Sequence, residues 1–133
     1  MLLWLQHSDF STDDYQDATL ESALEKFAAF DWPGELSQME QAENQQEECC
    51  EPGIGLVRGD THILHLCPHS AEKGSVFYHY KKPAKVLGLI PYLSSEDLYA
   101  IDFPLPKTRE LFEAHFLNDH ARTMALLEPY VAS

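Results

Sequence analysis

Residues 47–69, EECCEPGIGLVRGDTHILHLCPH, hold Cys49, Cys50, Cys67, His62, His65 and His69 in one short window. Thiolate and imidazole groups of this kind are zinc ligands, and a thiol beside an imidazole is the pairing that makes a nucleophile. The metal candidates are Cys49, Cys50, Cys67 and His69. The catalytic candidates are Cys67 as nucleophile and His79, on the following strand, as its base. Zinc is the cofactor such a site would take, and nothing else in the chain asks for one. Two features weigh against metal: the paired C-x-x-C knuckles of a zinc site are missing, and Pro52 and Pro68 interrupt the segment where the ligands sit. Free cysteine is also among the most buried residue types, so the window reads first as a core hairpin.

The element that must position these groups is that hairpin. GIGLV and HILHL flank Arg58-Gly59-Asp60-Thr61, and Gly-Asp is a good two-residue turn. With that turn, Val57 opposes His62, Leu56 opposes Ile63, Ile54 opposes His65 and Cys50 opposes His69. Directly opposed side chains share a face. One face then gathers Cys50, Ile54, Leu56, Ile63, His65, Cys67 and His69, and the other Val57, His62, Leu64 and Leu66. A slip of one residue would reassign every side chain. Arg58-Gly59-Asp60 also spells an integrin-recognition tripeptide, which here serves the turn.

Other catalytic signatures are missing from the sequence: there is no G-x-S-x-G, no H-E-x-x-H and no P-loop, and the GIG of EPGIGLV lacks the third glycine and following helix of a dinucleotide site. His115, Asp119 and His120 form a further polar group, although His115 lies between Phe112 and Phe116 and reads as a satisfied histidine at the core margin.

Around the hairpin, Leu2 to Leu5 suit a short edge strand. Ser11 or Thr12, followed by Asp13 and Asp14, suits a helix start, and Leu20, Leu24, Phe27 and Phe30 carry the apolar stripe toward a stop near Asp31-Trp32-Pro33. Residues 34–48 read as a second, solvated helix. SVFYHY, KVLGLI and DLYAIDF read as three further strands. Thr108 should cap a helix bearing Leu111, Phe112, His115 and Phe116, and a second helical segment after Asn118-Asp119 carries Met124 and Leu127. The expected fold class is α+β, an antiparallel meander of about four to five strands with the N-terminal and C-terminal helices on one face. All 133 residues are expected in a single domain, divided into an acidic helical part (1–52), a β-rich middle (53–104) and a C-terminal helical part (105–133).

Charge supplies the other functional signal. The formal net charge is −13, and residues 1–52 hold 13 carboxylates against one base, Lys26. Such a field repels nucleic acid and anionic membranes and steers a basic protein toward contact. No apolar run approaches the ~20 residues of a membrane span. The opening MLLWLQHSDF lacks a basic n-region and a small-residue cleavage site, so a cytoplasmic location is expected. Lys81, Lys82 and Lys85 form the one basic cluster and read as protection of a strand edge.

The expectation that follows is a small acidic protein-binding protein, an antagonist or immunity-type inhibitor of a basic partner. Its contact surface would lie within residues 12–51 and comprise Asp13, Asp14, Asp17, Glu21, Glu25, Trp32, Glu40, Glu43, Glu47 and Glu48. The alternatives are a metal-dependent or thiol enzyme built on the 50–69 cluster, and an accessory subunit of a larger complex.

Overall fold

The computed structural model describes residues 1–59 and 61–131. Among them, six strands form one antiparallel sheet, accompanied by four α-helices. The strands are β1 (Leu2–Gln6), β2 (Thr12–Tyr15), β3 (Gly53–Arg58), β4 (His62–Pro68), β5 (Lys73–Val86) and β6 (Ile90–Pro104). The helices are α1 (Leu20–Ala29), α2 (Trp32–Asn44), α3 (Thr108–Phe116) and α4 (His120–Leu127). The sheet order is β2-β1-β3-β4-β5-β6. Strands β3 to β6 are the expected meander. The hairpin β1–β2 adds to the free side of β3, so β1 lies inside the sheet and β2 takes the edge.

Period-two alternation explains the core. Leu3, Leu56, Leu64, Tyr78 and Leu98 form one cross-strand row, and Leu5, Ile54, Leu66, Val76 and Ala100 form the next. Nearly all of these side chains are fully buried, packed against Ala23 of α1, Leu111 and Phe112 of α3 and Leu127 of α4. At roughly 1.5–3 kcal/mol for each fully buried large apolar side chain, these two rows supply much of the drive to fold.

Local chemistry moved several boundaries. The segment expected to start the first helix, Thr12-Asp13-Asp14-Tyr15, is β2, because it pairs with Leu3 to Gln6. Helix α1 instead begins after Thr19, whose side chain accepts from the Ser22 amide while Ser22 reaches back to the Thr19 amide, a reciprocal capping box. Helix α2 starts two residues earlier than expected, with Asp31 as its cap and Pro33 in its first turn. Thr108 is the first residue of α3 and caps nothing; Lys107 occupies the cap position without a side-chain bond. KVLGLI is a tip, not a strand: Val86 pairs with Ile90, and Leu87 and Gly88 carry φ of 53° and 73°.

The central hairpin keeps its place and changes its register. Arg58 pairs with His62, Val57 with Ile63, Leu56 with Leu64, Gly55 with His65 and Ile54 with Leu66. The loop therefore spans three residues, 59–61, with Gly59 at φ 58°; Asp60, half of the expected two-residue turn, lies outside the described residues. The one-residue slip puts Leu64 and Leu66 on the core face with Ile54 and Leu56. It moves His65 and Cys67 to the opposite face, where Gly53 makes room for them and Gly55 makes room for Trp4. A Cβ at Gly53 would meet His65 Nε2 at 2.5 Å and Cys67 Sγ at 2.8 Å, and one at Gly55 would meet the Trp4 indole at 2.1 Å. Burial of four leucine and isoleucine side chains outweighs the local preference of the turn.

Candidate binding groove on the acidic helices

Helices α1 and α2 flank a depression of about 470 Å³, lined by Phe27, Ala28, Phe30, Trp32, Pro33 and Leu36 together with Ser70, Ala71 and Leu105. Its aromatic wall is held rigid. The Trp32 indole N–H donates to the Phe27 carbonyl at 2.9 Å, and the Trp32 ring packs edge-on against Phe30 at 4.5 Å and tilted against Phe27 at 5.5 Å. Phe27 in turn meets the buried Phe112 of α3. Trp32 is therefore half-buried.

Helical spacing ranges acids along both walls. On α2, Glu40 and Glu43 follow Leu36 by four and seven positions and so share its face; on α1, Glu25 and Glu21 precede Ala28 by three and seven. All four acids are exposed, and Glu21 lies 3.9 Å from Arg109. Glu47 and Glu48 continue past the end of α2, also exposed. The remaining expected contact residues sit elsewhere. Asp13 lines a smaller depression of about 280 Å³ with Tyr15, Lys26 and Phe30, Asp14 is on edge strand β2, and Asp17 is in the turn before α1 at φ 55°.

One half-buried carboxylate fixes the groove to the sheet. Glu35 accepts from the Ser8 amide at 2.9 Å and lies 2.6 Å from His7 Nδ1, while Asp13 lies 2.8 Å from His7 Nε2. Hydrogen bonds to Glu35 and then Asp13 raise the His7 pKa above 6.5. Burial pushes Glu35 upward, but the Ser8 amide and His7 outweigh it and hold its carboxyl below the usual value.

The cysteine and histidine candidates are dispersed. Cys50 sits at the β1–β2 turn, where its thiol donates to the His7 carbonyl at 3.1 Å and accepts from Gln6 Nε2 at 3.3 Å. Cys49 is half-exposed beside it. Cys67 is buried, 3.6 Å from His65 Nε2, and burial followed by the charge of Glu51 pushes its thiol up to about 12. His69 lies 3.3 Å from Ser75 Oγ and 3.8 Å from Glu51. The expected Cys67–His79 pair is not formed. Cys67 pairs with Ser75 and Ile63 with His79, so the two side chains stand four positions apart on one face, roughly 13 Å. His79 bonds Asp97 across the strands instead. Among the described residues no group of three His, Cys, Asp or Glu is arranged to hold a metal ion.

The C-terminal polar group is structural in its contacts. His115 donates from Nε2 to the Leu56 carbonyl at 3.1 Å in the core, and His120 Nδ1 bonds the Tyr78 hydroxyl at 2.8 Å. Asp119 caps α4 through the Arg122 amide. Burial, reinforced by the nearby Arg58 charge, lowers the pKa of His115 to about 4, and burial raises Tyr78 to about 12.

No protein family, curated protein or solved structure matches the chain. Among the described residues no helix is long and apolar enough to cross a membrane. The functional argument therefore rests on the groove.

The sequence marks its acids and Trp32 but not its floor. Ser70, Ala71 and Leu105 reach the groove from the β4–β5 loop and the end of β6, and no local periodicity links them to α1 and α2. The available signal is on α2, whose Leu36, Met39 and Ala42 stripe is too thin for a core helix.

Proposed function

We propose that this chain is a protein-binding protein that captures a basic partner in the α1–α2 groove. The reading rests on one observation: an apolar, aromatic-walled depression of about 470 Å³ lies between two helix faces that continue into Glu40 and Glu43 on one side and Glu25 and Glu21 on the other. Fixed aromatic walls with an apolar floor are the chemistry of an interface anchor site, and flanking charge governs approach and register. The partner fitted to it presents an apolar side chain flanked by lysine or arginine.

Panning a random peptide library against the protein tests this directly. Enriched peptides should combine a leucine or aromatic residue with two or more bases, quench Trp32 fluorescence, and lose affinity by about tenfold or more with Glu40→Lys/Glu43→Lys. Binding should also weaken as salt rises. Enrichment of neutral or acidic peptides, or binding indifferent to that double substitution, would sink the proposal.

A further inference from the structure

The β5–β6 ribbon outruns the rest of the sheet. Ile63 pairs with His79 near the start of β4, and beyond that point, among the described residues, β5 and β6 pair only with each other. The resulting arm ends in aliphatic side chains held in solvent: Leu87 is 91% exposed, Leu89 82%, Ile90 63% and Val86 45%. Isolated apolar residues on a surface need no explanation, but four at the tip of a projecting hairpin mark a contact. Behind the tip come Lys85, Lys82 and Lys81, of which Lys82 lies 3.4 Å from Glu96 across the ribbon, and residues 81–95 contain no acid. The arm is thus a basic, apolar projection on a strongly acidic body.

We infer that the arm of one copy of this chain docks in the α1–α2 groove of a second copy. The inference rests on the groove reading above and names its occupant. Two observations select a second copy. First, the order of chemistry matches. Pro33 and Leu36 line the apolar pocket, and Glu40 and Glu43 follow on the same face of α2, roughly 6 and 10 Å beyond Leu36 at 1.5 Å per residue. The arm runs from an apolar tip to Lys85 and then to Lys81, roughly 13 Å farther back.

Second, the arm cannot reach the groove of its own chain. Ser70, Ala71 and Leu105 line the groove beside the Lys73–Pro104 end of the ribbon, whereas the tip lies at the Val86–Ile90 end, roughly 40 Å away along β5. Tip and groove at opposite ends of one ribbon allow two chains related by a two-fold axis, side by side and inverted, to exchange both arms at once. That arrangement closes on itself and builds no filament. A lipid surface fits less well, because the acidic body that carries the arm is repelled by anionic headgroups.

Sedimentation equilibrium of the full chain, up to about 200 µM so that a micromolar contact is saturated, tests the inference. The wild type should be a reversible dimer. Leu87→Asp/Leu89→Asp should be monomeric with unchanged thermal unfolding of the monomer, since both side chains are already in solvent. Glu40→Lys/Glu43→Lys should also be monomeric, and combining it with Lys81→Glu/Lys85→Glu in one chain should restore the dimer.

A monomeric wild type would overturn the inference, including one that co-sediments with phosphatidylglycerol vesicles through its tip. So would a dimer that survives the groove substitutions, which would mean that arms pair with arms. Neither result bears on the groove reading, which stands or falls on whether the wild type enriches basic peptides.

Discussion

Glu35 of α2 lies 2.6 Å from His7 at the end of β1, and this contact fastens the groove-bearing helix to the sheet. None of the residues of α2 is fully buried, so the helix depends on such ties. The sign of its pH dependence follows from both partners. The pKa of His7 is raised by Glu35 and then Asp13, so its contribution is complete below about 6.5 and is lost as pH rises through the raised value. The carboxyl of Glu35 is held low, so its contribution is present above about 4.5 and lost as pH falls through the lowered value. The tie is strongest between those limits. Amide exchange of α2, corrected for intrinsic rates, should speed up as pH rises from about 6 to about 9, and Glu35→Gln should raise it at pH 6 by the loss of about 1–2 kcal/mol of local stability. Protection of α2 that stays flat across this range would refute the assignment.

His115 predicts acid sensitivity of the whole fold. The residue is 1% exposed, Nδ1 has no partner among the described residues, and its pKa is lowered to about 4. Above about pH 6.5 it is neutral both folded and unfolded and adds no pH dependence. As pH falls from there to about 4, the unfolded chain takes up a proton that the folded chain refuses, and stability falls by up to roughly 3 kcal/mol. Urea unfolding at pH 8 and pH 5 should show about 2 kcal/mol of this loss. His115→Leu should remove most of the difference, while at pH 8 it costs about 1 kcal/mol for the bond to Leu56. An equal loss in the variant would place the sensitivity on other groups, with His62 next in line.

How much of this was legible in the sequence depended on distance along the chain. Alternation of Leu3 and Leu5, of Leu64 and Leu66 and of Val76 and Tyr78 named the strands, and the stripe from Leu20 to Phe30 named α1, because each pattern is local. The helix start at Thr12 failed for lack of a local signal: Thr12 and Thr19 are both plausible caps, and only pairing with β1 turns 12–15 into a strand. The hairpin register failed for the opposite reason. A strong local preference for a two-residue Gly-Asp turn lost to core burial, and with it went the face shared by Cys50, Ile54 and Cys67. The groove as a unit was illegible because it joins residues 27–36, 70–71 and 105.

The glycines of β3 carry a prediction that the sequence alone did not suggest. Trp4, Gly55, His65, Phe77 and Tyr99 form one row on the face away from the helices, and the Trp4 indole occupies the space a Gly55 side chain would take. A methyl at Gly55 would sit 2.1 Å from the indole, so the ring must leave. Gly55→Ala should cost about 1–3 kcal/mol and change the near-ultraviolet circular dichroism of Trp4, an effect that Trp4→Phe should largely suppress. If Gly55→Ala left both stability and the tryptophan signal unchanged, the close packing of Trp4 on β3 would be wrong.

The thiols separate the core hairpin from a reactive site. Cys49 and Cys50 are partly exposed and Cys67 is buried, with its thiol pushed up to about 12. At that value almost no thiolate is present at pH 8, and the thiolate is the species that attacks disulfides and binds zinc. Ellman's reagent at pH 8 should therefore label Cys49 and Cys50 in the folded protein and reach Cys67 only in denaturant. Cys67→Ala should retain the fold at a cost of about 1–2 kcal/mol and leave the labelling of the other two unchanged. Labelling of Cys67 in the folded chain as fast as that of Cys50 would contradict its burial and return the Cys67–His65 contact to consideration as chemistry. Slow labelling leaves both groups as neutral packing partners over Gly53, which is how a cysteine and a histidine come to share a strand without forming a site.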